Sequence, residues 1–364
     1  MPRGAKSKSE AVPPSFPAIH TKLQPPLEAM DAKAVAELPA GNGWQYEPKW
    51  DGFRALVFRD RETVIIQSKA GQPLDRYFPE LVTALQSLPD QRFVVDGEIV
   101  IDVNGALDFD ALLQRIHPAA SRIKRLSAET PAQLRVFDLL EDGTQVFSAA
   151  PLRLRREVLE NWSRLNLESD APVRLSPCSL DLSQAARWLT DLTTSCDGVV
   201  AKLREEPYHF GDRRGMVKVK RIRTADCVVA GFRYASKGDA IGSLLLGLYN
   251  EEGKLDHVGF TSSFTAEERA ELEEKIAGAV PQPGQEAQAG FSGNAPGGPS
   301  RWNAYNPRAS EWKPLLPKLV VEVSYDHFSG GRFRHGTKLP RWRPDKRVDQ
   351  CTKEQIAPMR KSAA

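Results

Sequence analysis

The segment that most restricts the possible folds of this chain is the apolar run from Phe93 to Val100, because it carries two carboxylates. Side chains alternate between the two faces of a strand, so Asp96 and Glu98 share one face of a run apolar enough for an interior strand. A buried, unpaired carboxylate is costly, which predicts a metal ion, a sugar hydroxyl or a cation nearby. The alternative is a hairpin turn at Asp96 that leaves Glu98 exposed.

Composition places the chain among globular proteins. Its 364 residues include 50 Lys and Arg against 47 Asp and Glu, and 41% are hydrophobic, which suffices for two domains and excludes overall disorder. No apolar run is long enough for a secretion signal or a membrane span, so we expect a cytoplasmic protein. Its four cysteines form no C-x-x-C pair, which disfavours a disulfide framework and a zinc ribbon.

Positive charge is concentrated in two stretches. Residues 202–223 hold eight basic and three acidic side chains, and residues 332–347 hold seven basic and one acidic. Because the formal net charge is only +3, the rest of the chain is acidic. Both stretches predict contact with a polyanion, either nucleotide phosphates or a nucleic-acid backbone, although solvated basic faces remain the alternative.

Local composition divides the chain into two predicted domains with tails. Residues 1–18 are basic and proline-rich and predict a flexible tail, and residues 356–364 form a second tail. Residues 19–222 mix short β-rich runs with helical patterns, which is typical of an α+β domain. Residues 223–355 contain glycine-punctuated strands and one helix, as in the small Greek-key barrel called the OB-fold.

Helical patterns and one glycine-rich segment complete this prediction. Helices are expected at 75–88, 108–117, 152–162 and 181–194, and from Thr265 onward. Thr265 and Glu268 fit a capping box, and Gly278 fits the end of that helix. Residues 278–300 contain six Gly and four Pro among 23 positions, which predicts a mobile insertion without packed structure.

A lysine and an arginine flank a turn in Lys49-Trp50-Asp51-Gly52-Phe53-Arg54. If a strand follows the turn, Arg54 points away from the core-facing residues, so Lys49 and Arg54 can face one pocket. An exposed turn between strands is the alternative interpretation.

Two later strings add an acid and a pair of lysines. Asp197 enters a second apolar strand, and a strand over residues 216–220 would project Lys218 and Lys220 to one face. Paired lysines repel each other unless an anion lies between them, and a phosphate would serve. A solvent-facing amphipathic strand is the alternative.

In this order, the strings resemble the covalent nucleotidyltransferase superfamily, and within it the ATP-dependent DNA ligases. The resemblance extends from about Leu23 to Cys351 and is strongest to the actinobacterial ligase C group and the ligase domain of bacterial end-joining ligases. The stretches that carry it are YEPKWDGFRALVFRD, RIHPAASRI, RTADCVVAG and RFRHGTKLPRWRPDK. It implies an α+β nucleotidyltransferase domain followed by an OB-fold β-barrel.

The resemblance also implies roles for individual residues. Lys49 would attack the α-phosphate of ATP to form a lysyl-AMP intermediate, with Phe137 stacked on adenine. The implied nucleotide contacts are Glu47, Arg54, Lys69, Glu98, Phe137, Arg214, Lys218 and Lys220. Glu98 and Asp197 would bind Mg²⁺ (or Mn²⁺). Arg343, Asp345 and Lys346 would orient pyrophosphate. Two positions depart from the family pattern, since Lys69 replaces an arginine and Asp197 replaces a glutamate.

The implied substrate is nicked duplex DNA, sealed by a monomer at the nucleoid in DNA repair, together with a polymerase or an end-binding protein. A hinge is expected near residues 221–226, so that the OB domain can close over the nucleotide and reopen for DNA. Two alternatives stay open: an RNA ligase or another covalent nucleotidyltransferase such as a capping guanylyltransferase, and a non-catalytic OB protein that binds nucleic acid.

Overall fold

The computed structural model describes residues 15–103, 105–168, 170–191, 196–235, 240–296 and 311–356. The chain forms two compact units, Met1–Lys220 and Arg221–Ala364. Most of the two predicted tails lies outside the described residues. No helix in the described ranges has the length and apolar character needed to cross a membrane.

The first unit contains two sheets with flanking helices. Its strands are β1 Lys33–Ala34, β2 Trp44–Pro48, β3 Phe53–Asp60, β4 Thr63–Ser68, β5 Arg92–Val103, β6 Ala106–Leu107, β7 Ala132–Glu141, β8 Val173–Leu175, β9 Gly198–Leu203 and β10 Met216–Lys220. Its helices are α1 Pro79–Gln86, α2 Phe109–Gln114, α3 Ala120–Glu129, α4 Leu152–Asn166 and α5 Leu182–Thr190. The smaller sheet has the order β1-β10-β9-β2, and the larger β4-β3-β5-β7-β8 with β6 paired to β5.

The apolar run with two carboxylates is the interior strand β5, as predicted, and pairs with β3 and β7 on either side. Asp96 is fully buried, so the alternative of a hairpin turn at this residue is wrong. Ala55 and Val57 of β3 enter the same core, while Arg54 faces the other way and lines a cleft. The alternation predicted from the sequence therefore places Arg54 and Glu98 on one face.

Helices α1, α2, α4 and α5 lie within or overlap the predicted ranges, whereas α3 was not predicted. Its N-cap residue is Ala119, which provides no side-chain hydrogen bond, so the usual start signal is missing. Ile123 and Leu126 are the buried residues of α3, and packing of this narrow apolar stripe takes the place of the missing cap.

The second unit is built on one antiparallel sheet with a helix. Its elements are β11 Arg223–Tyr234, β12 Ile241–Tyr249, β13 Leu255–Thr261, α6 Ala266–Ala277, β14 Lys313–Tyr325, β15 Phe328–Ser329, β16 Arg332–Phe333 and β17 Lys338–Trp342. The sheet order is β13-β12-β11-β14-β17, and a single parallel bridge between Thr261 and Thr337 links its two ends. This connectivity is that of a partly open OB-type barrel. Helix α6 has the predicted capping box of Thr265 and Glu268.

The segment predicted as a mobile insertion differs from that expectation over residues 279–296. Ala279 is fully buried, and the amide of Gly290 donates a hydrogen bond to the carbonyl of Leu315 (2.9 Å). Phe291 packs against the core and contacts the ring of Trp312. Glycine and proline allow these turns without preventing packing, because Phe291 and backbone hydrogen bonds to the neighbouring strands hold the segment in place. Residues 297–300 lie outside the described residues.

Candidate active site

An open cleft of about 710 Å³ lies between the two sheets of the first unit. Strands β2, β9 and β10 form one wall, and residues of β3, β5 and β7 form the other. The lining residues are Asp31, Ala32, Glu47, Pro48, Lys49, Trp50, Arg54, Lys69, Glu98, Phe137, Val200, Lys202, Met216 and Lys218. The lining combines apolar side chains with four cations, Lys49, Arg54, Lys69 and Lys218, besides the buried Lys202.

Lys49 is joined to Asp197 by two hydrogen bonds and to the neighbouring Gly198 by a third. Its Nζ donates to Oδ2 of Asp197 (2.8 Å), the amide of Asp197 donates to the Lys49 carbonyl (2.7 Å), and the Lys49 amide donates to the carbonyl of Gly198 (2.9 Å). The backbone pairing brings the carboxylate close to the amine. An aspartate, with its short side chain, therefore reaches the lysine where the family pattern has glutamate.

The pairing sets the charge of Lys49. Burial acts to lower the pKa of its ammonium, but the charge and hydrogen bond of Asp197, with smaller contributions from Asp51 and Glu98, raise the pKa above the ordinary value. Without a ligand, Lys49 is therefore a protonated amine and not a nucleophile.

Gly52 allows the lysine loop to approach β5 closely. A Cβ at this position would lie 2.1 Å from the carbonyl oxygen of Ile99 and 2.9 Å from Cγ of Glu98. Gly198, beside Asp197, has a φ of +141° and would place a Cβ 2.2 Å from the carbonyl oxygen of Val219. Both positions exclude a side chain, so the two glycines fix the spacing between Lys49 and the neighbouring strands.

Asp96 and Glu98 share a face of β5 but have different surroundings. Asp96 accepts hydrogen bonds from Nε and Nη2 of Arg54 (2.5 and 2.6 Å) and from the hydroxyl of Tyr208 (2.5 Å). This is the cationic partner that the sequence required. Glu98 lines the cleft, where burial raises its pKa to about 7 although Arg54 and Lys49 act to lower it.

A buried ion pair forms the wall near Phe137. Nζ of Lys202 lies 2.7 Å from Oε2 of Glu47, and both side chains are almost fully buried. Lys202 Nζ and the guanidinium carbon of Arg54 each lie 4.6 Å from the centroid of the Phe137 ring. Lys202 was not among the predicted site residues, although its position five residues after Asp197 on an apolar strand offered a signal.

Lys69 and Lys218 meet at an acid that sequence reasoning missed. Nζ of Lys69 lies 2.9 Å from Oδ2 of Asp31, and Nζ of Lys218 lies 3.6 Å from Oδ1. Asp31 stands in a short coil before β1, in a stretch without a pattern that marks it as functional. The strand β1, which follows Asp31, pairs in parallel with β10 and so brings Asp31 close to Lys218.

Two predicted nucleotide contacts do not reach the cleft. The side chain of Arg214 is 71% exposed and donates to Asp212 (2.6 Å), and Lys220 is exposed at the end of β10. Neither residue belongs to the cleft lining.

The predicted pyrophosphate-orienting residues form a cluster in the second unit. Arg343 donates to both carboxylate oxygens of Asp345 (2.9 and 2.8 Å) and to Oδ1 of Asp226 (2.9 Å). Lys346 lies 3.2 Å from Oδ2 of Asp226. The hydrogen bond from Arg343 lowers the pKa of Asp345 to about 2, so this exposed carboxylate stays ionised. The structure thus brings the three predicted residues together around Asp226.

The acids of the cleft fit a metal that arrives with a ligand. Among the described residues, no three His, Cys, Asp or Glu side chains converge as a complete metal centre. Asp197 is hydrogen-bonded to Nζ of Lys49, and Glu98 lines the same cleft. Mg²⁺ is commonly held by one or two carboxylates while substrate phosphates and water complete its shell. The donor set therefore fits Mg²⁺ or Mn²⁺ bound together with phosphates.

A lysine held between acids in a cleft of two sheets, in a chain that continues into an OB-type unit, is the arrangement of covalent nucleotidyltransferases. The family model described as the ATP dependent DNA ligase domain matches residues 26–220, and that of the ATP dependent DNA ligase C terminal region matches residues 237–346. The chain belongs to the ATP-dependent DNA ligases, as predicted.

Relatives agree with this assignment. DNA ligase C1 of Mycolicibacterium smegmatis is 43% identical over 351 residues, which cover 92% of this chain and 94% of that protein. The multifunctional non-homologous end joining DNA repair protein LigD of Mycobacterium tuberculosis is 28% identical over 329 residues, 88% of this chain and 38% of LigD. A solved structure from work on Lig E DNA ligases shares the fold, with a TM-score of 0.52 at 16% identity, covering 87% of this chain and 99% of that one.

Proposed function

We propose that this chain seals 5′-phosphate/3′-hydroxyl nicks in duplex DNA through a lysyl-AMP intermediate on Lys49. The observation that carries the proposal is the placement of Lys49 in a cleft with Asp197, Glu98 and the phosphate-binding candidates Lys69 and Lys218. A non-catalytic OB protein would have no use for a lysine pinned between acids.

In the first step, adenine lies by Phe137 and Glu47, and the phosphates lie toward Lys69 and Lys218. The Nζ of Lys49 attacks the α-phosphorus, the bond from phosphorus to the pyrophosphate oxygen breaks, and Nζ loses its proton. Lysine cations beside the α-phosphate stabilise the negative charge that develops on its oxygens.

Lys49 must lose a proton before it can attack. At the ordinary lysine pKa of about 10.4, only about one amine in 2,500 is neutral at pH 7, and Asp197 makes that fraction smaller still. Bound Mg²⁺ would supply positive charge at Glu98 and Asp197 and polarise the phosphate. With that charge in place, Asp197 would stabilise the ammonium less, so the pKa of Lys49 would fall and the neutral amine would be available as the nucleophile.

The later steps use the activation that the phosphoramidate conserves. AMP moves from Lys49 to the 5′-phosphate at the nick, which frees the lysine. The 3′-hydroxyl then attacks that phosphate and AMP leaves, so the strand is sealed. Arg343, Asp345 and Lys346 orient the pyrophosphate in the first step only, since no pyrophosphate is present in the others.

Intact-mass measurement after incubation with ATP and Mg²⁺ tests this function. We expect a gain of one AMP per chain, its loss when nicked duplex is added, and no gain with GTP. A repeat with Mn²⁺ compares the two metals, and a nick with an RNA strand on either side tests strand preference. If ATP leaves the mass unchanged, the non-catalytic OB protein becomes the better interpretation.

We also propose where the enzyme acts. A nick-sealing enzyme works on chromosomal DNA, so we place it in the bacterial cytoplasm at the nucleoid, as a monomer in DNA repair beside a polymerase or an end-binding protein. The similarity to an end-joining repair protein supports this role. Light scattering with and without nicked duplex checks the oligomeric state.

A further inference from the structure

Asp31 lies on a segment that the fold holds rigidly at the edge of the cleft. The amide of Asp31 donates to the carbonyl of Asp212 (2.9 Å), and the amide of Met30 donates to the hydroxyl of Tyr208 (3.0 Å). The carbonyl of Met30 accepts from Nη2 of Arg54 (3.2 Å), and Met30 and Ala32 are both buried. The backbone that carries the Asp31 carboxylate is therefore held in place by contacts other than its ionic partners.

This carboxylate receives contacts in the way a phosphate would. Oδ2 lies 2.9 Å from Nζ of Lys69 and 3.4 Å from Nη2 of Arg213, while Oδ1 lies 3.6 Å from Nζ of Lys218 and accepts from the amide of Ala32 (2.8 Å). Partial burial acts to raise the pKa of Asp31, but Lys69, the Ala32 amide and Lys218 together lower it to about 2. Asp31 is thus an anion at every working pH.

The partners of Asp31 differ from the other cations of the cleft. Arg54 and Lys202 are paired with the almost fully buried acids Asp96 and Glu47. In contrast, the side chains of Lys69, Arg213 and Lys218 are 57%, 68% and 27% exposed. Long exposed side chains can exchange an anionic partner at low cost, whereas the buried pairs cannot.

We propose that Asp31 substitutes for phosphate in the free enzyme. It pairs with the cleft lysines Lys69 and Lys218, and with Arg213 outside the cleft lining, until the phosphates of the nucleotide bind the two lysines in its place. It pairs with them again when pyrophosphate leaves. This inference rests on the proposed function, because it needs the cleft to bind a nucleoside triphosphate. Asp31 is a positioning residue that keeps the cations ordered in the free enzyme. Because it competes with phosphate for them, it lowers phosphate affinity and speeds the release of pyrophosphate.

The test compares ligand affinities in Asp31→Asn and in the unchanged protein by calorimetry, with EDTA present so that no turnover occurs. We expect ATP and inorganic tripolyphosphate to bind about three- to ten-fold more tightly to Asp31→Asn, because a nearby negative charge is removed. Adenosine should bind equally to both. Glu205→Gln is the matched control, since it also removes one acid of the first unit but pairs with Arg153 outside the cleft.

Unchanged or weaker binding of ATP and tripolyphosphate to a folded Asp31→Asn protein would overturn the proposal and mark Asp31 as a structural ion-pair partner. If Asp31→Asn does not fold, Asp31→Ser removes the charge while its hydroxyl can still accept from the Ala32 amide, and the same comparison applies. Lysyl-AMP formation by the unchanged protein is measured separately, so failure of the nucleotidyl transfer is distinguishable from failure of the role of Asp31. Pyrophosphate should also inhibit Asp31→Asn at about three- to ten-fold lower concentration.

Discussion

The cleft of the first unit and the Arg343 cluster of the second unit are both groups of cations held by acids, but they differ in depth. In the cleft, Lys49 is 19% exposed and its partner Asp197 is 11% exposed. In the cluster, Asp226 is as well covered as Asp197, yet Asp345 is 65% exposed. The Lys49–Asp197 pair of the first unit therefore lies mostly out of solvent, whereas Asp345 of the second unit presents its charge to solvent.

This difference predicts a division of work. Burial makes the cleft acids strong determinants of the pKa of Lys49, because low effective dielectric strengthens their interaction. Solvent screens the charge of the exposed Asp345. We therefore expect the Arg343 cluster to affect catalysis only in the step in which pyrophosphate is present. Variants of the cleft should affect the chemistry itself, and variants of the cluster should affect one step.

Replacement of Lys49 should have the largest effect. Lys49→Ala removes the nucleophile, so adduct formation should fall by more than about 1,000-fold, as measured with labelled ATP. The same variant should still seal a nick that is supplied already adenylated, which shows that it is folded. A labelled adduct on another lysine would contradict the assignment.

Asp197 should come next, with an effect on both rate and pH dependence. Asp197→Ala should reduce adenylation about 100-fold with the fold intact, while Asp197→Glu should be tolerated. Because Asp197 raises the pKa of Lys49, Asp197→Asn should shift the rise of adenylation with pH to lower pH. Asp51→Asn is the control, with a smaller shift expected since its contribution is smaller. An unchanged pH profile in Asp197→Asn would show that the charge of Asp197 does not set the pKa of Lys49.

The exposed cluster should affect only the pyrophosphate-dependent step. Arg343→Ala and Asp345→Ala should each slow lysyl-AMP formation about 30-fold and leave the sealing of pre-adenylated nicks unchanged. Arg341→Ala provides a control, because Arg341 is an exposed neighbour that pairs with Glu322 and lies outside the predicted set. Equal slowing of both steps would show that the cluster supports DNA binding or folding instead.

The smallest effect predicted is one on stability, at Glu98, in addition to the loss of adenylation that its proposed place at the nucleotide and metal implies. Its folded-state pKa is raised to about 7 from 4.5, so the native state binds more protons between these values and its free energy of unfolding falls as pH rises. Glu98→Gln should lack this loss and be more stable than the unchanged protein at pH 8 by about 1–3 kcal/mol, with little difference at pH 4. Urea unfolding at pH 4 and pH 8 measures the free energy of unfolding of both proteins. An equal difference between them at the two pH values would rule out a raised pKa of Glu98 as its cause.

The sequence predicted the parts of the site that strand alternation and short motifs encode. Lys49, Arg54 and Glu98 line one cleft as expected, because each lies on or beside a strand whose facing direction is fixed by its neighbours. Asp31 could not be found this way, since its role depends on a parallel pairing to β10, far along the chain. Likewise, α3 lacks a cap signal.

Packing of the second unit shows the same limit. Thr265 and Glu268 mark the start of α6 locally, and the structure has that cap. The glycine-rich residues after α6 pack because Phe291 meets Trp312, a contact between distant positions that composition does not reveal.

Gly52 has a consequence for how this protein can change over time or in the laboratory. Even a methyl group there would clash with the carbonyl oxygen of Ile99 in β5 and with the side chain of Glu98, and would push the Lys49 loop away from β5. A chain with Gly52→Ala would keep Lys49, Glu98 and both sheets and still lose the alignment of the two side chains. Searches for improved variants should therefore leave this glycine fixed.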